Sequence, residues 1–292
     1  MTTVKNEGLL LLGKTSSLIV FFLLLFIGLS FILINSSPAS AGTCTWTGTS
    51  STAPNTMSAI ENWNLGCSLD STSTLIFNNT TNTNANWDSA MPTVLSVFVS
   101  STYSGTITIM PTTAATTTGN FTIEAASTST IRVSSTLNVG GNLAINGGTI
   151  NAVGTGARSV VMYGADNILG GNGITNLYDL TINGTIITLS GNVTTTNNLT
   201  VNLGKLLALI DYSVIVGVSL NNSGTITQTL GGLVTMSGTG NLGGIGNTTV
   251  YGLVITGTTV TLAGHVTTTN SLTVNSSKTL ALSTYNAVVS GT

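Results

Sequence analysis

Residues 169–209 of this chain, LGGNGITNLYDLTINGTIITLSGNVTTTNNLTVNLGKLLAL, are written again 73 residues later as LGGIGNTTVYGLVITGTTVTLAGHVTTTNSLTVNSSKTLAL, residues 242–282, without a gap and with 26 of 41 positions identical. Self-similarity at a fixed period restricts a chain to folds made by stacking one unit on the next. The differences between the copies are as informative as the identities. Leu180, Ile182, Ile187, Leu189, Val193, Leu199, Val201, Leu207 and Leu209 become Leu253, Ile255, Val260, Leu262, Val266, Leu272, Val274, Leu280 and Leu282, and none turns polar. They fall in pairs at spacing two, the period of a strand with one face buried and one wet. The repeat is therefore read as short β-strands whose core consists of these residues.

Composition narrows the function classes. Charged residues make up 5% of the 292 and the net charge is −2, against a globular average of about 25% charged. Thr, Ser, Asn and Gly together exceed half the chain. β-branched residues at strand spacing argue against disorder in spite of the low charge. Without a Lys or Arg cluster there is no electrostatic footprint for nucleic acid or anionic lipid. A surface of hydroxyls and amides hardly titrates, so stability is expected to change little between mildly acidic and mildly alkaline pH.

Taken in order, residues 1–41 read as an export signal: Lys5 and Lys14, an uncharged run from Leu18 to Ile34, then Ala39-Ser40-Ala41, with cleavage between Ala41 and Gly42. The alternative is an uncleaved anchor, since the run sits at the lower limit for spanning a bilayer. Either way the remainder is placed outside the cell. Residues 42–118 hold all three tryptophans and both cysteines and are read as an amino-terminal cap. Cys44 and Cys67, in a chain leaving the reducing cytosol, predict one disulfide.

From 119 to 292 the chain is monotonous, with short apolar-alternating runs between Gly and Asn. Leu180, Leu199 and Leu220, then Leu253 and Leu272, mark steps of 19 to 21 residues. Steps of that size suit the coils of a parallel β-solenoid, three or four to each 73-residue unit. An antiparallel sandwich is the alternative, because strand spacing does not reveal direction. Glycines at the corners, Gly184, Gly191, Gly257 and Gly264, are read as permitting sharp bends. Outward threonines are expected to stack, Thr188 above Thr261 and Thr200 above Thr273.

The opening TWTG, NW, LIF and YSGTIT, followed by GNLAI, NNLTV and NSLTV, resembles the secreted β-helical surface proteins of the adhesin, autotransporter-passenger and filamentous-haemagglutinin type. The resemblance implies a right-handed parallel β-helix at the cell surface, contacting other surface components, host or glycan ligands, or copies of itself.

Few residues could carry chemistry. GGNGITNLY at 170–178 approaches a calcium-binding nonapeptide, but Thr175, and Thr248 in the second copy, stand where the carboxylate is needed. Asp166, Asp179 and Asp211 are the only acidic residues after Glu124, and their spacings of 13 and 32 do not stack them at a step near 20. Glycoside hydrolysis needs two carboxyl groups about 5 to 9.5 Å apart. His265 replaces Asn192, reads as solvent-facing, and has no second histidine with which to share a metal. Ten Asn-x-Ser/Thr sequences, including Asn78, Asn120, Asn183, Asn198 and Asn275, are no more than composition predicts. The resulting expectation is a non-enzymatic, exported structural or adhesive solenoid with no cofactor. A pectate-lyase-like polysaccharide enzyme and a self-assembling filament or surface-layer subunit are the alternatives.

Overall fold

The computed structural model describes residues 42–78, 83–152 and 158–291. The expected export segment, 1–41, lies outside them. Among the described residues the chain is all-β, with a single 3₁₀ turn, Ile60–Asn62. Every strand-to-strand pairing is parallel, and the one antiparallel contact is an isolated bridge between Trp46 and Trp63. The strands form a parallel β-solenoid of about ten turns. At roughly 4.8 Å per coil the stack is about 50 Å long.

A typical coil has three strands, one on each face. Asn167–Gly170, Ile174–Leu177 and Asp179–Ile182 form one coil, and Ile186–Leu189, Val193–Thr195 and Leu199–Val201 form the next. The first and second faces belong to one 20-stranded sheet, because Asn247–Ile255 and Val266–Val274 run without a break from one face to the other; the third face is a separate nine-stranded sheet. Alternation along each strand sends every second side chain inward, giving the buried-intermediate pattern of IITL at Ile186–Leu189.

Inward residues stack coil upon coil. On the third face one column runs Ala115, Leu137, Val160, Leu180, Leu199, Leu220, Leu242 and Leu262. On the first, Cys44, Leu75, Val97, Phe121, Leu143, Leu169 and Leu189 do the same. These side chains are almost fully removed from water, and the Leu, Val and Phe among them contribute about 1.5 to 3 kcal/mol each. Large aromatic groups fill the interior at the first coils, where Trp46, Trp63, Phe77 and Tyr103 contact one another at ring-centroid distances of 5.1 to 5.9 Å.

Several expectations are corrected. The architecture does not change at 118–119. The first-face ladder starts at Thr43–Thr45 and passes through Thr74–Phe77 and Ser96–Val99 into Phe121–Ile123, so 42–118 is already solenoid. Nor is the 73-residue repeat a structural unit. Leu180 lies on the third face, between Val160 and Leu199, whereas its copy Leu253 lies on the second, between Val234 and Leu272. Seventy-three residues span three and two-thirds turns, so the second copy is turned around the axis relative to the first. Thr188 and Thr261 therefore do not stack: Thr188 lies between Ile168 and Ala208, and Thr261 between Asn241 and Ala281. Thr200 lies between Thr181 and Asn221, and Thr273 pairs with Val254.

What the copies keep is the contact with the neighbouring coil. Leu180 pairs with Leu199 as Leu253 pairs with Leu272; Val193 pairs with Val214 as Val266 pairs with Ala287. Of the residues read as core, Leu180, Ile182, Leu189, Val193, Leu199, Val201, Leu253, Ile255, Leu262 and Val266 are buried. Leu272 and Leu280 are half-buried, and Val274 and Leu282 are 40% and 47% exposed, against the core reading. Among the described residues, only Val266–Thr268 of strand Val266–Val274 carries a further strand, Ala287–Val289.

The corner glycines act differently from expectation. Gly184, Gly191, Gly257 and Gly264 have no positive φ. A Cβ at each would collide with a carbonyl oxygen of the preceding coil, that of Gly164, Gly171, Gly238 and Gly244 respectively. Close stacking of backbone on backbone is the requirement.

Candidate functional site

The two predicted cysteines are joined. Cys44 and Cys67 form a disulfide with Cα atoms 5.1 Å apart, tying the first strand to the turn after Trp63. It points to a non-reducing environment. Beside it Asp70 accepts hydrogen bonds from the Thr72 hydroxyl and backbone N–H, at 2.6 and 2.8 Å, which hold its carboxyl below the usual range. Among the described residues no helix is long and apolar enough to cross a membrane.

The three aspartates are not brought together. Asp166 lies in the turn before the first face, Asp211 in the turn between the first and second, and Asp179 at the start of the third. Asp179 Oδ1 is occupied, accepting from Asn197 Nδ2 at 2.8 Å and from the Asn198 N–H at 2.9 Å. Among the described residues no three His, Cys, Asp or Glu side chains converge. Thr175 and Thr248, at the position where a nonapeptide carboxylate would ligate calcium, point into the core and are 3% and 4% exposed. The Asn222 amide donates to Thr248 Oγ1 at 2.9 Å.

A corner device missed in the sequence explains many of the asparagines. Asn120 Oδ1 accepts the N–H of Asn142, and Asn142 Oδ1 that of Ile168, at 2.9 and 2.8 Å. Asn192 accepts from Ser213 and Asn198 from Ser219 in the same way. His265 is exposed and does the work of Asn192, its Nδ1 accepting the Asn286 N–H at 3.2 Å. Each side chain satisfies a backbone donor of the next coil at a bend where the ladder is interrupted. Its signal was legible: donor and acceptor stand about one coil, 21 residues, apart at both 192/213 and 265/286.

One cavity stands out on the side of the solenoid. A groove of about 620 Å³ runs along the turn into the first face across four coils, lined by Thr225, Asn247, Thr249, His265, Thr267 and Tyr285, with Gly244–Ile245–Gly246 along one side. Ile245 is 84% exposed, and Gly243 and Gly244 have φ of +107° and +152°, a backbone that favours glycine and lets the loop stand out. The rings of His265 and Tyr285 meet edge to face, 5.5 Å apart at 84°. No lining residue carries a formal charge, so the groove offers hydroxyls, one amide, an imidazole and a phenol. A shallower hollow on the third face is lined by Thr116, Asn138, Val161, Tyr163 and Asn183. Burial raises the Tyr163 phenol, whose hydroxyl donates to Thr117 O at 2.9 Å.

No known protein family matches the sequence, and no curated protein or solved structure is significantly similar to it.

Proposed function

We propose that the protein is an exported, non-enzymatic structural and adhesive solenoid that works as a spacer at the cell surface or outside the cell. Its coils are taken to wind right-handed, the hand that parallel β-crossovers adopt almost without exception. The observation that carries the reading is the rotation of the repeat. One residue string sits on different faces while keeping its contacts to the next coil. What the string preserves is the ability to build another coil, a property that serves length. The outward columns support it: Thr194, Ile215, Thr235, Val254 and Thr273 on the second face form a polar and aliphatic surface without charge.

Its partners are surface components or ligands met by these outer columns. The test is location and shape. Antibody labelling of intact cells, with electron microscopy of the purified protein, is expected to find surface label and short rods. Label found only after cell lysis would overturn the reading, as would turnover of acidic or neutral glycans lost on Asp179→Asn.

A further inference from the structure

We infer that the groove between the Gly244–Gly246 loop and the His265–Tyr285 pair is a binding site for a neutral oligosaccharide, which deepens the adhesive reading and rests on it. Size is the first argument. About 620 Å³ falls within the range of pockets that enclose a small ligand, and the groove follows four coils, matching an elongated chain better than a compact metabolite.

Chemistry is the second. Among the described residues, the hydroxyls of Thr225, Thr249 and Thr267 and the amide of Asn247 have no hydrogen-bond partner, so each is available to pair with a sugar hydroxyl. They repeat at the coil spacing: Thr225 is paired with Asn247, and Thr249 with Thr267. His265 is held by its Nδ1 contact to Asn286, which leaves Nε2–H free to donate. The Tyr285 ring, fixed edge to face against His265, and the exposed Ile245 side chain supply apolar surface for the C–H face of a pyranose. An anionic ligand would need a cation, and the lining has no Lys or Arg.

The first copy of the repeat supplies the control. Asn172, Ile174 and Asn192 occupy the places of Ile245, Asn247 and His265, in a string that makes the same contacts to its neighbouring coil. The triple variant Ile245→Asn, Asn247→Ile, His265→Asn therefore exchanges the groove's chemistry for residues that the coil geometry already accepts.

The experiment titrates the full chain and the triple variant with cellotetraose, maltotetraose, N-acetylchitotetraose and, as the acidic comparator, tetragalacturonate. The readouts are the His265 imidazole resonances of the unaltered chain and calorimetry of both proteins. At least one neutral tetrasaccharide is expected to shift the His265 resonances saturably, with a Kd at least tenfold weaker in the variant at an unchanged melting temperature. Absence of saturable shifts at millimolar concentration, equal affinity in the variant, or preference for tetragalacturonate would each overturn the site. Such failure leaves a surface-located rod intact as a plain spacer, whereas binding by a protein that never reaches the surface removes the adhesive role and keeps the site.

Discussion

Leu180 and Leu253 occupy the same place in two copies of one sequence, yet they stand on different faces of the solenoid, each seated under a leucine 19 residues further on, Leu199 and Leu272. The fold is thus defined by contacts between consecutive coils, and its energetics can be tested coil by coil.

Leu199 is covered by Leu220, whereas its copy Leu272 is half-buried and pairs with no further strand among the described residues. Leu199→Ala is expected to cost about 2 to 5 kcal/mol, the range for emptying a packed site. Leu272→Ala should cost about 1 kcal/mol, because less surface is buried there. Urea unfolding of the two variants checks this, and equal losses would contradict the stacking account.

Gly257 packs its α-carbon against the Gly238 carbonyl of the coil below. Gly257→Ala has to push two coils apart, and a loss of about 1 to 3 kcal/mol is expected from overpacking. In an ordinary turn at negative φ the same change would be slightly stabilising, so the sign of the shift in melting temperature decides.

Gln228 spans three coils from inside the wall. Its Nε2 donates to Tyr212 O at 2.9 Å, and its Oε1 accepts the Tyr251 N–H at 3.0 Å. Gln228→Leu keeps the bulk but strands both backbone groups, at about 1 to 3 kcal/mol. Amide exchange at Tyr251 should accelerate; an unchanged rate would show that the bond adds nothing.

The Cys44–Cys67 bridge closes the first coil at a sequence separation of 23. Replacing both cysteines with serine should cost about 2 to 4 kcal/mol. Alkylation of the unreduced protein followed by intact mass measurement should find no free thiol.

Tyr103 is fully buried, its hydroxyl donating to Thr83 O at 2.7 Å, and burial raises its pKa well above the ordinary phenol value. Because the folded value is raised, the stabilisation is complete below about pH 10, the unfolded value, and is lost as pH rises beyond it. The unfolding midpoint is expected to be flat from about pH 5 to about pH 9 and to fall above about pH 10. Tyr103→Phe should cost about 1 kcal/mol at neutral pH and remove much of the alkaline fall. An alkaline limb identical in the variant would assign it elsewhere. Half-buried Asp70, with its depressed pKa, acts oppositely, its small contribution disappearing as pH falls below the carboxylate range.

The sequence by itself determined the strands, their inward and outward alternation, the coil length near 20 and the pairing of Cys44 with Cys67, because each is written in local spacing or in a count of two. The tertiary structure alone decided which face a strand occupies. Steps between paired residues range from 18, Thr248 to Val266, to 31, Cys44 to Leu75, and these differences accumulate as rotation around the axis. It also decided why Gly257 is glycine, what His265 accepts, and that Thr225, His265 and Tyr285 line one groove. Those properties depend on what lies one coil above or below, a neighbour that sequence spacing locates only once every turn has been counted.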